Sequence, residues 1–451
     1  MLRRLSVFSL TVIVSSGLCA APAVAAPRTA RVLVEASGTS HAPAVSTDGR
    51  FVAFLSEADN LLGGDPSADP NGVADVFLVD TTLGTIRSVS DDAVSGDPAD
   101  GPALGVDISG DGRWVAFSSA ATNLVPGDLN DASDVFLYDA LNDSLQLVSR
   151  KGVAGAQGNR GSNTPSISKD GTRVAFTSAA TNLVGNDTNN RTDVYVRNVS
   201  AETTTRASTD SNGKQANGDS FQAKISPNGS VVAFSSNAIN LVKADSSRTR
   251  DVFVKVLGTG KTSIVSVRSD EQLGSNDSSL SDVSGSGRYV VMQSYSALVK
   301  GDTNNTGDVF MRDRTDGTTI RVSRDGSTQS NDQSFSGAIS DDGARIAFQT
   351  WATNLGPGPD GNGVLTDVLE LTVAGGDLAR LSADAEGGWS DAASYDTTIS
   401  GDGLVACFAT GSTDMVAGDT NGQDDVFCHA WTDETRTAST TVRWSVAMPE
   451  G

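Results

Sequence analysis

One tripeptide recurs along this 451-residue chain at nearly constant spacing. Asp-Val-Phe, or a near relative, begins at Asp75, Asp134, Asp193, Asp251, Asp308, Asp367 and Asp425, so successive starts lie 59, 59, 58, 57, 59 and 58 residues apart. Upstream of each stands a Ser-x-Asp-Gly-Arg-x-Val-Ala-Phe-like segment: Ser46–Phe54, Ser109–Phe117, Ser168–Phe176, Ser226–Phe234, and modified forms at Ser284–Met292, Ser340–Phe348 and Ser400–Phe408. Length alone would suggest roughly three domains at ~150 residues each. A fixed period of this size instead means one repeat array.

Each unit holds four short β-like runs and no helical period. In the second unit they are Gly105–Ser109, Trp114–Ser118, Asp134–Asp139 and Ser144–Ser149, separated by Gly, Asp and Asn. The first two runs meet at Gly110-Asp111-Gly112, and Asp-Gly supplies the positive φ of a tight hairpin. Four antiparallel strands repeated seven times predict an all-β, seven-bladed β-propeller, in which radial packing leaves only short protected edges. A tandem array of sandwiches would need linkers and longer apolar runs. The expected propeller occupies 41–440, with 26–40 before it and a tail at 441–451.

The pattern Ser-x-Asp-Gly-Arg-x-Val-Ala-Phe, then Asn-Leu-Val-x-Gly-Asp-x-Asn, then Asp-Val-Phe resembles the TolB-like, WD-type β-propeller repeats of exported bacterial proteins. The resemblance covers essentially residues 40–440 and implies a propeller fold outside the cytoplasm. Both ends offer a closing strand. Arg31–Ala36 and Thr435–Thr440 each look like the fourth strand of a unit, and we expect the N-terminal one to take part in closure.

Residues 1–25 read as a secretory leader: Arg3 and Arg4, a short apolar run from Leu5 to Leu18, then Ala23-Val24-Ala25 as a cleavage site. The run is too short for a typical span, and no later stretch reaches the ~20 apolar residues a membrane helix needs. A secreted or periplasmic monomer is expected. In an oxidising compartment Cys407 and Cys428, on the second and third strands of unit seven, read as a candidate disulfide. The formal charge of −22 argues against nucleic acid and against anionic lipid as partners.

Strand alternation sorts the loops onto two faces. The first and third connections, both tight turns, share one face. The second connection (Ser119–Ser133 in unit two) and the crossover to the next unit share the other, so both long loops lie together. That face carries the repeated motif Asp-x-Asn-x-x-x-Asp, as Asp69/Asn71/Asp75, Asp128/Asn130/Asp134, Asp187/Asn189/Asp193, Asp302/Asn304/Asp308 and Asp419/Asn421/Asp425. Unit four has Asp245/Ser247/Asp251 with Arg248 and Arg250, and unit six has Asp360/Asn362/Asp367. Two readings stand. Oxygen side chains at positions one, three and seven resemble the opening of calcium loops, which makes calcium the candidate cofactor. The same residues also suit turns in which side chains bond nearby backbone N–H groups.

Catalytic signals are sparse. His41 and His429 are the only histidines, and neither accompanies a Gly-x-Ser-x-Gly turn, a zinc spacing or a phosphate-binding loop. Residues that break the repeat carry more information. Tyr295 and Trp351 stand where other units place Ala120, Ala179, Asn237 or Gly411, and Trp389 and Tyr395 lie in or near the crossover out of unit six. Aromatics on an acidic face would suit a stacking platform for a sugar, a peptide or a cationic group. The expected function is an exported, non-enzymatic scaffold that binds a protein or cell-envelope ligand, with a cation or basic group as the favoured chemistry. The rival reading is a carbohydrate-active hydrolase or lyase using loop carboxylates.

Overall fold

The structure, a computed structural model, describes residues 35–446 except 66, 68, 154, 246, 247, 357, 359 and 432–438. Val34–Gly451 forms one unit by its contacts; Met1–Leu33, which contains the expected leader, lies outside the described residues. Among the described residues no helix is long and apolar enough to cross a membrane.

Seven four-stranded antiparallel sheets follow one another, each in simple sequence order. Blade one is Ser40–Val45, Phe51–Ser56, Asp75–Asp80 and Thr85–Ser88, and blade two is Ala103–Ile108, Trp114–Ser119, Asp134–Asp139 and Ser144–Leu147. The same order repeats through blade seven, Ser394–Ile399, Val405–Thr410, Asp425–Trp431 and Ser439–Arg443. First strands touch in cyclic order, with that of blade seven against that of blade one. The chain is a seven-bladed β-propeller.

The repeat motifs explain the packing. The second and third strands pair Phe54 with Phe77, Phe117 with Phe136, Phe176 with Tyr195, Phe234 with Phe253, and Phe408 with Phe427. Each pair stacks with ring centroids 5.5–6.5 Å apart, and all ten rings are fully buried. Offset stacking adds about 1 kcal/mol per pair beyond the burial itself. In the first hairpin, Ser46 Oγ donates to Asp48 and accepts from Phe51 N–H, which fixes the turn from its own side chains. The glycine there has φ near +70° in every blade. It also lets the preceding blade approach: a Cβ on Gly112 would lie 2.1 Å from the Phe51 ring.

These hairpins join into a closed circuit on the short-turn face. Thr47 N–H donates to Gly110 O, Gly110 to Lys169, and Lys169 to Pro227. Pro227 has no N–H, and Asn228 donates in its place to Gly285 O. Gly285 then reaches Asp341, Asp341 reaches Gly401, and Asp402 returns to Thr47 O, every bond being 2.8–3.0 Å.

The fourth strand of blade seven comes from the C-terminal side, Ser439–Arg443, which runs past the expected boundary at 440 and pairs with Asp425–Trp431. Of the expected closing strand Arg31–Ala36, residues 31–34 lie outside the described residues. Glu35 bridges Val446 as Gln157 bridges Arg150 between blades two and three, so residues from Glu35 onward take the place of a crossover's end. A strand next along the chain closes a short loop and needs no second long-range pairing, which favours the C-terminal choice. The seventh blade is bonded internally: Cys407 and Cys428 face each other in register and form a disulfide.

Candidate functional site: the long-loop face and the channel mouth

The long loops are pinned by the repeated Asp and Asn residues. In blade two Asn130 Nδ2 donates to Asp134 (2.8 Å) and to Gly158 O (2.8 Å), while its Oδ1 accepts Ala132 N–H. The same geometry recurs at Asn71, Asn189, Asn304 and Asn421, whose amides reach Asp75, Asp193, Asp308 and Asp425. The last Asp of each motif accepts a serine hydroxyl from just beyond the fourth strand: Ser90, Ser149, Ser208, Ser266, Ser323, Ser382 or Ser445. The motif thus ties the long loop to the outermost strand and the crossover.

Burying two carboxylates together is costly without compensation. Most blades supply it from a fourth-strand arginine. Arg206 lies 3.1 Å from Asp187 and 3.3 Å from Asp193; Arg443 lies 2.9 Å from Asp419 and 3.2 Å from Asp425. Arg321 stands 3.5 Å from Asp302 and 3.8 Å from Asp308. In blade two a crossover amide replaces it: Gln157 Nε2 donates to both Asp128 and Asp134, and Leu129 N–H holds its Oε1. Desolvation still pushes Asp134, Asp367 and Asp419 up to about 6. Among the described residues no three His, Cys, Asp or Glu side chains converge as a ready-made metal cage.

The four candidate aromatics do not form one platform. Tyr295 (46% exposed) and Trp351 (39% exposed) follow the second strands of neighbouring blades five and six, on the long-loop face. Trp351 packs edge-on to Phe335 at 5.2 Å, and its indole N–H donates to Thr366. Trp389 sits apart, half-buried under the Arg380 guanidinium at 3.4 Å, beside the outer strand of blade six. Tyr395 lies on the innermost strand of blade seven, where its hydroxyl donates to Asp424. Of the histidines, His429 is buried against Trp431 and Thr441, and His41 is half-buried on the first strand.

Two features escape the sequence reading. Phe221 and Phe335 occupy the same column of the repeat as His41 and Tyr395, near the start of the first strand; Arg250 covers Phe221 at 5.2 Å. The second is the channel itself, a cavity of about 380 Å³ lined by the first strands of all seven blades. A bulge in those strands shifts the pairing register, and in five blades a non-glycine residue there has φ near +50°: Ala42, Thr164, Gln222, Ser336 and Asp396. The bulge turns Ala44, Asp107, Ser166, Lys224, Asp282, Ala338 and Thr398 into one ring, each opposite the equivalent residue of its second strand.

Three of these residues are charged. Asp107 accepts Ile108 and Ile167 N–H, and Asp282 accepts Ile339 N–H, so each carboxylate staples its blade to the next. Lys224 lies between them. Desolvation opposes its charge, yet Asp107 and Asp282 outweigh that and raise its pKa, so the ammonium is held charged. Below, the Lys169–Asp341 ion pair (3.2 Å) reaches from blade three to blade six across the lower opening. A second cavity of about 110 Å³ shares Asp107, Lys224 and Asp282 with the first and continues to the short-turn hairpins at Thr47, Gly110 and Gly401.

The fold defines the class: a seven-bladed β-propeller with a cavity on its central axis. No protein-family model matches the chain. No curated protein matches it. Solved structures do. The chain is similar to one of two prolyl endopeptidases at a TM-score of 0.55 and 12% identity, covering 93% of this chain and 51% of that one. It is similar to the propeller domain of the Trilobed protease from Pyrococcus furiosus at 0.52 and 9%, covering 90% and 97%. TolB from Acinetobacter baumannii matches at 0.41 and 15%, covering 76% of this chain and 63% of that one. At these identities the likeness is one of fold.

Proposed function

We propose that the protein is an exported, non-enzymatic scaffold that binds a protein or cell-envelope ligand through its long-loop face, over the mouth of the channel. The observation that carries this reading is two exposed aromatics at equivalent places in neighbouring blades, Tyr295 and Trp351, with Trp351 edge-on to Phe335. Glu57, Asp277 and Asp396 are exposed near the ends of first and second strands on that face, and Asp219, Asp332 and Asp424 are half-buried. Aromatic faces beside fixed negative charge favour a partner that presents a cationic side chain or a flat polar ring. Among the described residues, no other aromatic is exposed to this degree. A partner inserting a basic residue would meet stacking at the rim and acid around it.

The reading is tested with the purified chain on a surface, exposed to fractionated envelope and secreted material from its source. Trp351→Ala combined with Tyr295→Ala should weaken capture at least tenfold and lower the Tm by no more than about 3 °C, the cost of one ring contact and one hydrogen bond. Undiminished capture by the double variant would reject the docking surface. Turnover of any polysaccharide or peptide in the same fractions would reject the non-enzymatic part.

A further inference from the structure

Six copies of the buried Asp pair, those of every blade but the fourth, act as controls for one another. The fourth-strand residue opposite the third-strand aromatic or leucine is Arg206, Arg321, Arg380 or Arg443 in blades three, five, six and seven. In blade one it is Ser88, opposite Phe77. The crossover residue that provides an amide in blade two, Gln157, is replaced in blade one by Pro98, judged from the matching carbonyl contacts of Asn123 and Asn182. Neither replacement can neutralise a carboxylate. A third acid, Asp91, follows Ser90 where blade two has Arg150 after Ser149.

Blade one therefore buries its Asp pair without a counter-charge. Asp69 is 7% exposed and Asp75 1% exposed, and the two carboxyls lie against each other. Asn71 Nδ2 and Ser90 Oγ serve Asp75 at 2.5 and 2.6 Å. Asp69 Oδ1 is buried and has no hydrogen-bond partner among the described residues. No arginine or lysine among the described residues is ion-paired with Asp69 or Asp75. A desolvated pair of this kind must take up a cation or a proton.

We propose that blade one binds a hard divalent cation of the calcium class through the carboxylates of Asp69 and Asp75, with the charge of Asp91 behind them. All the donors are oxygen, which excludes soft metals. The pair supplies only part of a coordination shell, leaving the rest to main-chain carbonyls and water, as in weak extracellular calcium modules with Kd of roughly 10⁻⁴–10⁻³ M. In blades three, five and seven a guanidinium already stands at this place and repels a second cation. In blade two the anchored Gln157 amide directs N–H groups at the carboxylates. The inference is independent of the docking surface.

The test is thermal unfolding of the full chain in EDTA and in calcium chloride well above Kd. Saturation of about a hundredfold should raise the Tm of the wild type by about 3 °C. Ser88→Arg installs the guanidinium of the other blades and should abolish the calcium response while keeping the EDTA value at or above wild type. Asp69→Asn should abolish it by loss of a ligand, whereas Asp302→Asn in blade five should leave it intact. No calcium response in the wild type would mean that the pair holds a proton instead, and the proposal falls. A response that survives both Ser88→Arg and Asp69→Asn would place the ion elsewhere and equally overturn it.

Discussion

At the scale of single residues, much of the chain's polar content is bound into internal contacts. Arg113 grips Asp139 through two hydrogen bonds of 2.8 and 2.6 Å and lies over the Trp114 ring at 4.6 Å. The guanidinium, helped by Asn142 and Leu141 N–H, lowers Asp139 to about 2 from its ordinary 3.8. A carboxylate with a depressed folded pKa adds stability that is present above its unfolded value and is lost as pH falls through the folded one. The window is therefore about pH 4 down to pH 2. Arg113→Ala should move acid unfolding to higher pH and change little at pH 7 beyond the packing loss; an unchanged acid midpoint would contradict this. Trp389 shows the limit of reading single residues from sequence. Its aromatic character was legible, but its place under Arg380 depends on strand register, and so a candidate binding residue proves to be covered by a cation.

At the scale of the element, the strand patterns were largely legible because each blade repeats the same local instructions. The hairpin glycine, the Phe-to-Phe pairing and the Asp-led third strand follow from period-two alternation and turn chemistry. The first strand was not, because its bulge breaks that alternation. Asp107, Lys224 and Asp282 consequently line the channel, although nothing in their neighbours' sequence marks them as a ring. The disulfide makes a prediction here. Cys407 and Cys428 are separated by 21 residues along the chain. Closing a loop of that size stabilises by about 3 kcal/mol in the chain-entropy model. The double change Cys407→Ala, Cys428→Ala should therefore lower unfolding stability by about 2–4 kcal/mol in denaturant titration. Reduction of the wild type should reproduce most of the loss, and insensitivity to reductant would argue against it.

At the scale of the whole molecule, the blade count followed from the spacing of seven Asp-Val-Phe starts, but the closing strand did not. Arg31–Ala36 and Thr435–Thr440 share one local pattern, and only contacts between the chain's two ends choose between them. The result makes the seam between blades seven and one equivalent to the others, since Glu35 and Val446 meet as Gln157 and Arg150 do. A circular permutant opened between blades three and four, with Val446 joined to Glu35 by about six residues, should fold with the same circular dichroism. Loss of the folded spectrum would show that the native seam has a special role.

The ion pair from Lys169 to Asp341 carries a kinetic corollary. That crossbar narrows the lower end, while the larger cavity of about 380 Å³ lies nearer the first strands' opening residues. A solute held there would leave more slowly with a partner seated on the long-loop face, because only the exit past the crossbar would stay free.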